Sequence, residues 1–126
     1  MRVAKVARVL RVLVVDDEQL IRWSLRQRLE RAGYAVTDAP DGRSALRRAP
    51  GADVAVVDRK LPDADGLAVA AALHRRRPRR PVILMTAYGS PELDKAAIDL
   101  GIDAVVQKPF ELDDMLELIA SELRRS

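Results

Sequence analysis

The residues of this sequence that could carry chemistry are five polar side chains, each of which ends or follows a short apolar segment. Short apolar runs predict buried strands, whereas acidic side chains normally remain in water. Acids at the ends of buried strands therefore suggest a site rather than a solvated surface. The five residues are Asp16, Asp17, Asp58, Thr86 and Lys108.

Carboxylates, a hydroxyl and an ammonium group brought together could accept and hold a phosphoryl group. Neighbouring carboxylates repel one another, and loss of hydration adds to the cost of keeping them ionised. A divalent cation would relieve both effects, and all-oxygen ligation favours Mg²⁺. One carboxylate would be the nucleophile, while Lys108 and Thr86 would meet the phosphoryl oxygens.

Strand-like segments alternate with helical patterns along the whole chain. Continuous apolar runs suit strands that are buried on both faces, so the alternation predicts an α/β fold with a parallel sheet between helices. The predicted strands cover residues 9–15, 34–37, 53–58, 81–86 and 103–107, and the predicted helices cover residues 19–32, 42–48, 67–77, 91–100 and 112–124.

The predicted fold brings the five polar residues together. They lie at or just after the carboxyl ends of the first, third, fourth and fifth strands. In open parallel sheets, ligands bind beyond these carboxyl ends. We therefore expect one site at that edge of the sheet.

These residues could also have purely structural roles that need no ligand. Asp16 or Asp17 could cap the helix that begins at Gln19, since Asp is a favoured N-cap residue. Thr86 could cap a turn, and Lys108 could be a surface lysine. A capping role explains one acid at this position but not two.

A run of arginines, "HRRRPRR" at residues 74–80, holds much of the basic excess in a net charge of +3. Clustered arginines could bind nucleic acid. They could equally form a solvated helix end, where cations face the negative end of the helix dipole and Pro78 ends the helix. No aromatic residues interleave with the arginines, which favours the helix end.

Length and composition limit the class of protein. A chain of 126 residues with 48% hydrophobic and 33% charged residues is typical of one globular domain. The longest apolar run, residues 67–73, is far shorter than the ~18 residues of a membrane span. The chain has no cysteine, which excludes disulfides and thiolate metal sites. We expect a cytoplasmic protein that does not bind membranes.

Four motifs together resemble the receiver domain of two-component response regulators. They are "VLVVDDE", "VVDRKLPDADGL", "VILMTAY" and "QKPF", which follow the order and spacing of that family over residues 9–123. The resemblance implies a flavodoxin-like (βα)5 fold with strand order 2-1-3-4-5. It implies a single receiver domain over residues 1–126, with a lead-in at residues 1–8 and no effector domain in the chain.

The resemblance also implies a phosphoacceptor and a metal site. Asp58 matches the phosphoacceptor of the family. Mg²⁺ would be held by Asp17, Asp58 and the backbone carbonyl of Lys60, with Asp16 acting through water.

A further set of matching residues implies a switch. Thr86 and Lys108 match the hydroxyl and lysine residues that engage the phosphoryl oxygens. Tyr88 matches an aromatic residue that changes rotamer when the hydroxyl residue moves, although it could also be a half-buried packing residue. Pro109 stands where receivers often have a cis peptide bond.

The expected partners follow from the same resemblance. A sensor histidine kinase would supply the phosphoryl group, and the face made by the fourth helix, fifth strand and fifth helix would control an effector domain or partner protein. We expect no direct contact with nucleic acid, and we consider a dimer that forms on phosphorylation. The segments "IRWSLRQRLE", "MTAYGSPELDKAAIDLG" and "KPFELDDMLELI" resemble the nitrogen-regulation (NtrC-like) type.

Two competing functions remain for the sequence. Phosphatases with an aspartyl nucleophile generally need a second acid two residues later, and Lys60 at that position argues against an enzyme that turns over substrates. The chain would instead promote its own phosphotransfer and dephosphorylation. A receiver that acts as an adaptor without phosphorylation is the alternative, although such proteins usually lack part of the acidic and lysine set that is complete here.

Overall fold

The structure is a computed structural model, and it describes residues 1–4 and 8–126. Five strands alternate with five helices, as the sequence predicts. The strands are β1 (Arg11–Val15), β2 (Ala35–Ala39), β3 (Val54–Asp58), β4 (Val82–Thr86) and β5 (Ala104–Gln107), and the helices are α1 (Gln19–Arg31), α2 (Gly42–Arg48), α3 (Gly66–Arg75), α4 (Pro91–Asp99) and α5 (Leu112–Arg125).

All five strands are parallel and form one sheet in the order β2-β1-β3-β4-β5. The predicted fold class and strand order are confirmed. The direction in which successive strands are added to the sheet reverses at β1. Strand β2 lies on one side of β1, and the remaining strands lie on the other side. Such a point of reversal opens a crevice at the carboxyl ends of β1 and β3.

Helices cover both faces of the sheet. Leu13 and Val15 of β1 belong to a core cluster with residues of α2, α3 and α4, whereas Val12 and Val14 belong to a second cluster with residues of α1 and α5. The four side chains are fully buried. Strands covered on both faces leave their carboxyl ends as the place for polar side chains.

Some element boundaries differ from the predicted ones. Helix α3 ends at Arg75 rather than at residue 77, and Arg76 is extended, with ψ 138°. The residue before a proline is disfavoured in helical conformation, so Pro78 limits the helix from beyond its end. Strand β2 continues to Ala39, two residues further than predicted, because its last residues pair with β1 up to Val15.

The first helix buries fewer residues than its apolar spacing predicts. Ile21, Leu25 and Leu29 pack in the core, but Leu20 is 71% exposed. Trp23 is 58% exposed. The inward face of α1 is therefore one narrow stripe, and both residues lie outside it.

Two further expectations concern the N-terminal lead-in and membrane-spanning helices. The predicted lead-in at residues 1–8 includes residues 5–7, which lie outside the described part of the chain. Among the helices of the described residues, none combines the length and the apolar character needed to cross a bilayer.

Candidate functional site

The five predicted site residues meet at the carboxyl edge of the sheet. Asp16 and Asp17 follow β1, Asp58 and Thr86 are the last residues of β3 and β4, and Lys108 follows β5. Four of them line an open cavity of about 640 Å³, whereas Asp16 is fully buried at the first strand end. The expected convergence is confirmed.

Three carboxylates form the acidic part of the site. One oxygen from each of Asp16, Asp17 and Asp58 lies within 4.8 Å of the others. Asp16 and Asp58 are buried, and Asp17 is exposed at the mouth of the cavity. A compact set of oxygen donors that is open on one side fits a hard cation such as Mg²⁺, which keeps several of its waters. The residues therefore fit the metal that the sequence predicts.

Lys108 bridges two of these carboxylates. Its Nζ lies 2.7 Å from Oδ2 of Asp16 and 3.3 Å from Oδ2 of Asp58. The backbone N–H of Lys108 donates to the Thr86 carbonyl at 2.7 Å, and the bond to Pro109 is cis, as the resemblance implies. These contacts place the ammonium group between the two buried carboxylates. Lys108 is therefore not a surface lysine.

Asp16 is fixed on every side. Its Oδ1 accepts the Glu18 N–H at 2.9 Å, and its Oδ2 accepts from Lys108. Its own N–H donates to the Ala39 carbonyl at 3.1 Å. Helix α1 has Glu18 at its N-cap, without a side-chain capping bond. Asp17 therefore does not cap the helix, and the capping role considered for that acid is wrong.

The charges at the site shift two pKa values. Burial raises the pKa of Asp58, and the negative charge of Asp16 raises it further, while Lys108 opposes both. Burial alone would lower the pKa of Lys108, but its hydrogen bond and charge interactions with Asp16 and Asp58 raise it above its ordinary value. Lys108 therefore stays cationic, and the ionised form of Asp58 is held against an opposing environment.

The loop after β3 closes tightly over the backbone of Asp58. The Arg59 N–H donates to the Met85 carbonyl at 2.8 Å, and the Gly66 N–H donates to the Arg59 carbonyl at 2.6 Å. A Cβ at Gly66 would lie 1.9 Å from the Asp58 carbonyl oxygen, so only glycine fits there. Lys60 lines the cavity, and its carbonyl as a metal ligand stays a prediction.

Thr86 and Tyr88 are joined by a small turn. The Thr86 hydroxyl lies 3.2 Å from both the N–H and the carbonyl oxygen of Tyr88. Thr86 therefore takes part in a turn, and its role toward a phosphoryl group stays a prediction. Tyr88 is 86% exposed, so it is not the half-buried packing residue that we considered.

Sequence reasoning missed two residues that support the site. Arg22, on helix α1, donates to the Asp16 carbonyl at 2.7 Å. Asp65 caps α3 through the Leu67 N–H at 2.9 Å and lies 3.9 Å from Nε of Arg59. An Asp two residues before the predicted helix at residues 67–77 was a signal for the cap. No signal in the sequence pointed to the contact of Arg22.

Comparisons with known proteins find relatives of similar sequence and fold. Residues 12–120 match the family model described as "Response regulator receiver domain". The chain is 38% identical over 118 residues to response regulator MprA of Mycolicibacterium vanbaalenii, covering 92% of this chain and 51% of MprA. It is 38% identical over 119 residues to the alkaline phosphatase synthesis transcriptional regulatory protein PhoP of Bacillus subtilis, covering 92% of this chain and 49% of PhoP.

Solved structures give the same result. A CheY-like receiver domain protein from Methanospirillum hungatei superposes with a TM-score of 0.88 at 33% identity, covering 94% of this chain and 96% of that one. DrrB of Thermotoga maritima, described as an OmpR/PhoB homolog, superposes with a TM-score of 0.85 at 28% identity, covering 94% and 54%. The chain spans about half the length of the curated relatives that it matches. None of these relatives supports the predicted nitrogen-regulation type.

Proposed function

Because the chain belongs to the response regulator receiver domain family and takes part in two-component signalling, we propose that Asp58 accepts a phosphoryl group from the histidine of a sensor kinase. One observation carries the proposal: Asp58 ends β3 inside the cavity, with Nζ of Lys108 at 3.3 Å and two further carboxylates beside it. This is the arrangement that a phosphoacceptor needs.

The reaction is a transfer between two nucleophiles. A carboxylate oxygen of Asp58 attacks the phosphorus, the bond between phosphorus and the imidazole nitrogen breaks, and its electron pair leaves with the imidazole. The ammonium group of Lys108 offsets the charge that gathers on the phosphoryl oxygens. It is already within 3.3 Å of the nucleophile, so it needs no large movement.

We assign the metal site to Asp17, Asp58 and the Lys60 carbonyl, with Asp16 acting through water. Both carboxylate oxygens of Asp16 already accept hydrogen bonds, from Glu18 and Lys108, which supports an indirect role. Bound Mg²⁺ would neutralise the carboxylates and the phosphoryl oxygens during transfer. Asp17 is the most accessible of the three acids and is thus best placed for direct ligation.

The output side of the proposal begins at Thr86. A phosphoryl group on Asp58 adds charge and acceptor oxygens that attract the Thr86 hydroxyl. Thr86 would then give up its contacts with the backbone of Tyr88, and the exposed Tyr88 ring would turn inward. Because α4 begins at Pro91, the loop that carries this change leads directly into the face made by α4, β5 and α5.

The role of the whole protein is proposed at a coarser level. PhoP of Bacillus subtilis is a transcriptional regulatory protein, and this chain matches about half of it. We propose that the α4-β5-α5 face controls transcription through an effector domain or a partner protein, with dimerisation on phosphorylation as one route. The domain boundaries and the cytoplasmic location stay predictions.

The direct test is the intact mass of the protein after treatment with acetyl phosphate and Mg²⁺. We expect one added phosphoryl group in the wild type, none without Mg²⁺ and none in Asp58→Asn. Asp94→Asn, which removes one exposed acid from α4, is the matched control and should be phosphorylated like the wild type. A folded wild type that binds Mg²⁺ but gains no mass would contradict the proposal and favour the adaptor alternative.

A further inference from the structure

The edge of the sheet opposite the acidic site carries a dense group of arginines. These arginines lie in the last turns of α2 and α3 and in the loop that leads from α3 to β4. The two helix ends are neighbours, because the Arg76 guanidinium donates to the Leu46 carbonyl and Nη1 of Arg80 donates to the Ala49 carbonyl at 3.0 Å. We call this surface the basic edge, and its exposed members are Arg47, Arg48, Arg75, Arg76, Arg77 and Arg79.

Only some of these arginines serve the fold. Arg76 satisfies a carbonyl of α2, and Nη1 of Arg48 donates to the Asp38 carbonyl at 2.8 Å. The guanidinium groups of the other four have no hydrogen-bond partner and no carboxylate within 4.0 Å among residues 1–4 and 8–126. These four free guanidinium groups are Arg47, Arg75, Arg77 and Arg79.

Acidic residues offset only part of this charge: Asp41 interacts electrostatically with Arg47 and Arg48, whereas no described carboxylate lies within 4.0 Å of Arg75, Arg77 or Arg79. Asp53, the acid whose charge acts on Arg80, is held by Arg8 at 2.6 Å. Burial lowers the pKa of Arg80, and the charge of Arg76 lowers it further. Positive charge therefore accumulates here in excess of what the described carboxylates balance.

Helix dipoles explain only part of the group. Arg47 and Arg75 lie in the last turns of their helices, where a cation is favourable. Arg77 and Arg79 lie beyond the end of α3 and gain little from the dipole, which falls off within the last turn. Their position needs another reason.

We propose that the basic edge binds the phosphate backbone of duplex nucleic acid. Guanidinium groups match phosphate oxygens in a bidentate geometry. The exposed large apolar residues of the described chain lie outside residues 42–81. The edge therefore lacks the aromatic and apolar anchors that are typical of protein interfaces. It also lacks the aromatic side chains on which the bases of single strands stack. The inference revises the prediction that this domain makes no contact with nucleic acid, and it is independent of phosphorylation at Asp58.

The test is fluorescence anisotropy of a short labelled DNA duplex, titrated with the whole chain at about 50 and 200 mM salt. Four phosphate contacts predict a slope of about −3 to −4 for log affinity against log salt. Arg77→Gln/Arg79→Gln should reduce the steepness by about two and weaken binding tenfold or more at the lower salt. Arg43→Gln/Lys95→Gln is the matched control, because it removes the same charge from exposed positions of α2 and α4.

The outcomes distinguish duplex binding at the basic edge from a general response to charge and from binding of a different polyanion. Equal weakening by both double variants would reveal a response to net charge and would overturn the assignment, as would a wild type that does not bind the duplex at the lower salt. Binding to phosphatidylserine vesicles without binding to the duplex would overturn it in favour of an anionic membrane surface. Tighter binding to polyglutamate than to the duplex would overturn it in favour of an acidic protein partner.

Discussion

At the scale of single residues, the site is defined by an imbalance of charge around Asp58. Two buried carboxylates share the single ammonium group of Lys108, and Asp16 takes the shorter of the two contacts, 2.7 Å against 3.3 Å. Asp58 is thus the less well compensated acid and the one that faces the cavity. The excess of negative charge lowers the stability of the fold, but it also keeps Asp58 available as a nucleophile and attracts a cation.

Replacing Asp58 should therefore stabilise the metal-free protein. Because the pKa of Asp58 is raised in the folded state, its contribution to stability is present below the ordinary value of 3.8 and is lost as pH rises through the folded pKa. Asp58→Asn removes the titrating carboxyl group, and with it this loss of stability at higher pH. We expect the free energy of unfolding to rise by about 0.5–2 kcal/mol at neutral pH, which is a common size for a stabilising substitution. Below pH 3.8 we expect no rise.

The measurement is urea unfolding of both proteins in a chelator across this pH range. Asp94→Asn, at an exposed position of α4, should show no comparable gain at any pH. A gain of the same size at both ends of the pH range would contradict the electrostatic origin of the effect.

Lys108 should behave in the opposite way. Lys108→Ala leaves Asp16, which is fully buried, without its ammonium partner. Removing one partner of a buried ion pair commonly costs about 3–5 kcal/mol. Denaturant unfolding should show this loss, and the double variant Asp16→Asn/Lys108→Ala should recover much of it. A double variant as unstable as the single one would show that packing, rather than charge, causes the loss.

At the scale of elements, the loop between β3 and α3 holds Asp58 in place. The first helical residue, Gly66, packs against the backbone of Asp58 and Arg59. A Cβ there would lie 1.9 Å from a carbonyl oxygen, which is backbone and cannot turn away. The loop therefore sets the position of the proposed phosphoacceptor through its backbone rather than through its side chains.

Gly66→Ala should damage both stability and phosphorylation. Overpacking typically costs about 1–3 kcal/mol, and relief of the clash must displace the Asp58 backbone. Gly89→Ala is the matched control, because its Cβ would meet only the flexible end of Gln107 at 2.9 Å. Unfolding curves and the acetyl phosphate assay should separate the two variants. Equal behaviour would mean that the loop adapts without moving Asp58.

Strand ends were the most predictable elements of this fold. The strand ends at Asp58 and Thr86 could be read from the sequence because apolar runs stop there, and parallel strands must bring their ends to one edge. The exposure of Trp23 could not be read, since it depends on how α1 is rotated against the sheet. The arginine run at residues 74–80 could be read from the sequence, but its position beside the arginines of α2 could not, because it depends on α2 and α3 being neighbours.

At the scale of the whole molecule, charge is divided between the two edges of the sheet. The carboxyl edge gathers the acids of the site, and the opposite edge gathers the exposed arginines of α2, α3 and the loop that follows α3. A cation and a polyanion would therefore bind at opposite ends, and neither needs to displace the other. The two proposals can be tested separately on the same protein.

Binding of Mg²⁺ at the acidic edge should stabilise the entire fold. A ligand that binds only the folded state adds about 2.7 kcal/mol at a concentration of 100 times its Kd. We expect thermal unfolding of the wild type to move upward with added Mg²⁺ and to return with a chelator. Asp17→Asn removes the most exposed carboxylate of the cluster and should abolish most of the shift, whereas Asp94→Asn should leave it intact. An equal shift in both variants would place the cation elsewhere, because Asp17 belongs to the carboxylate cluster and Asp94 does not.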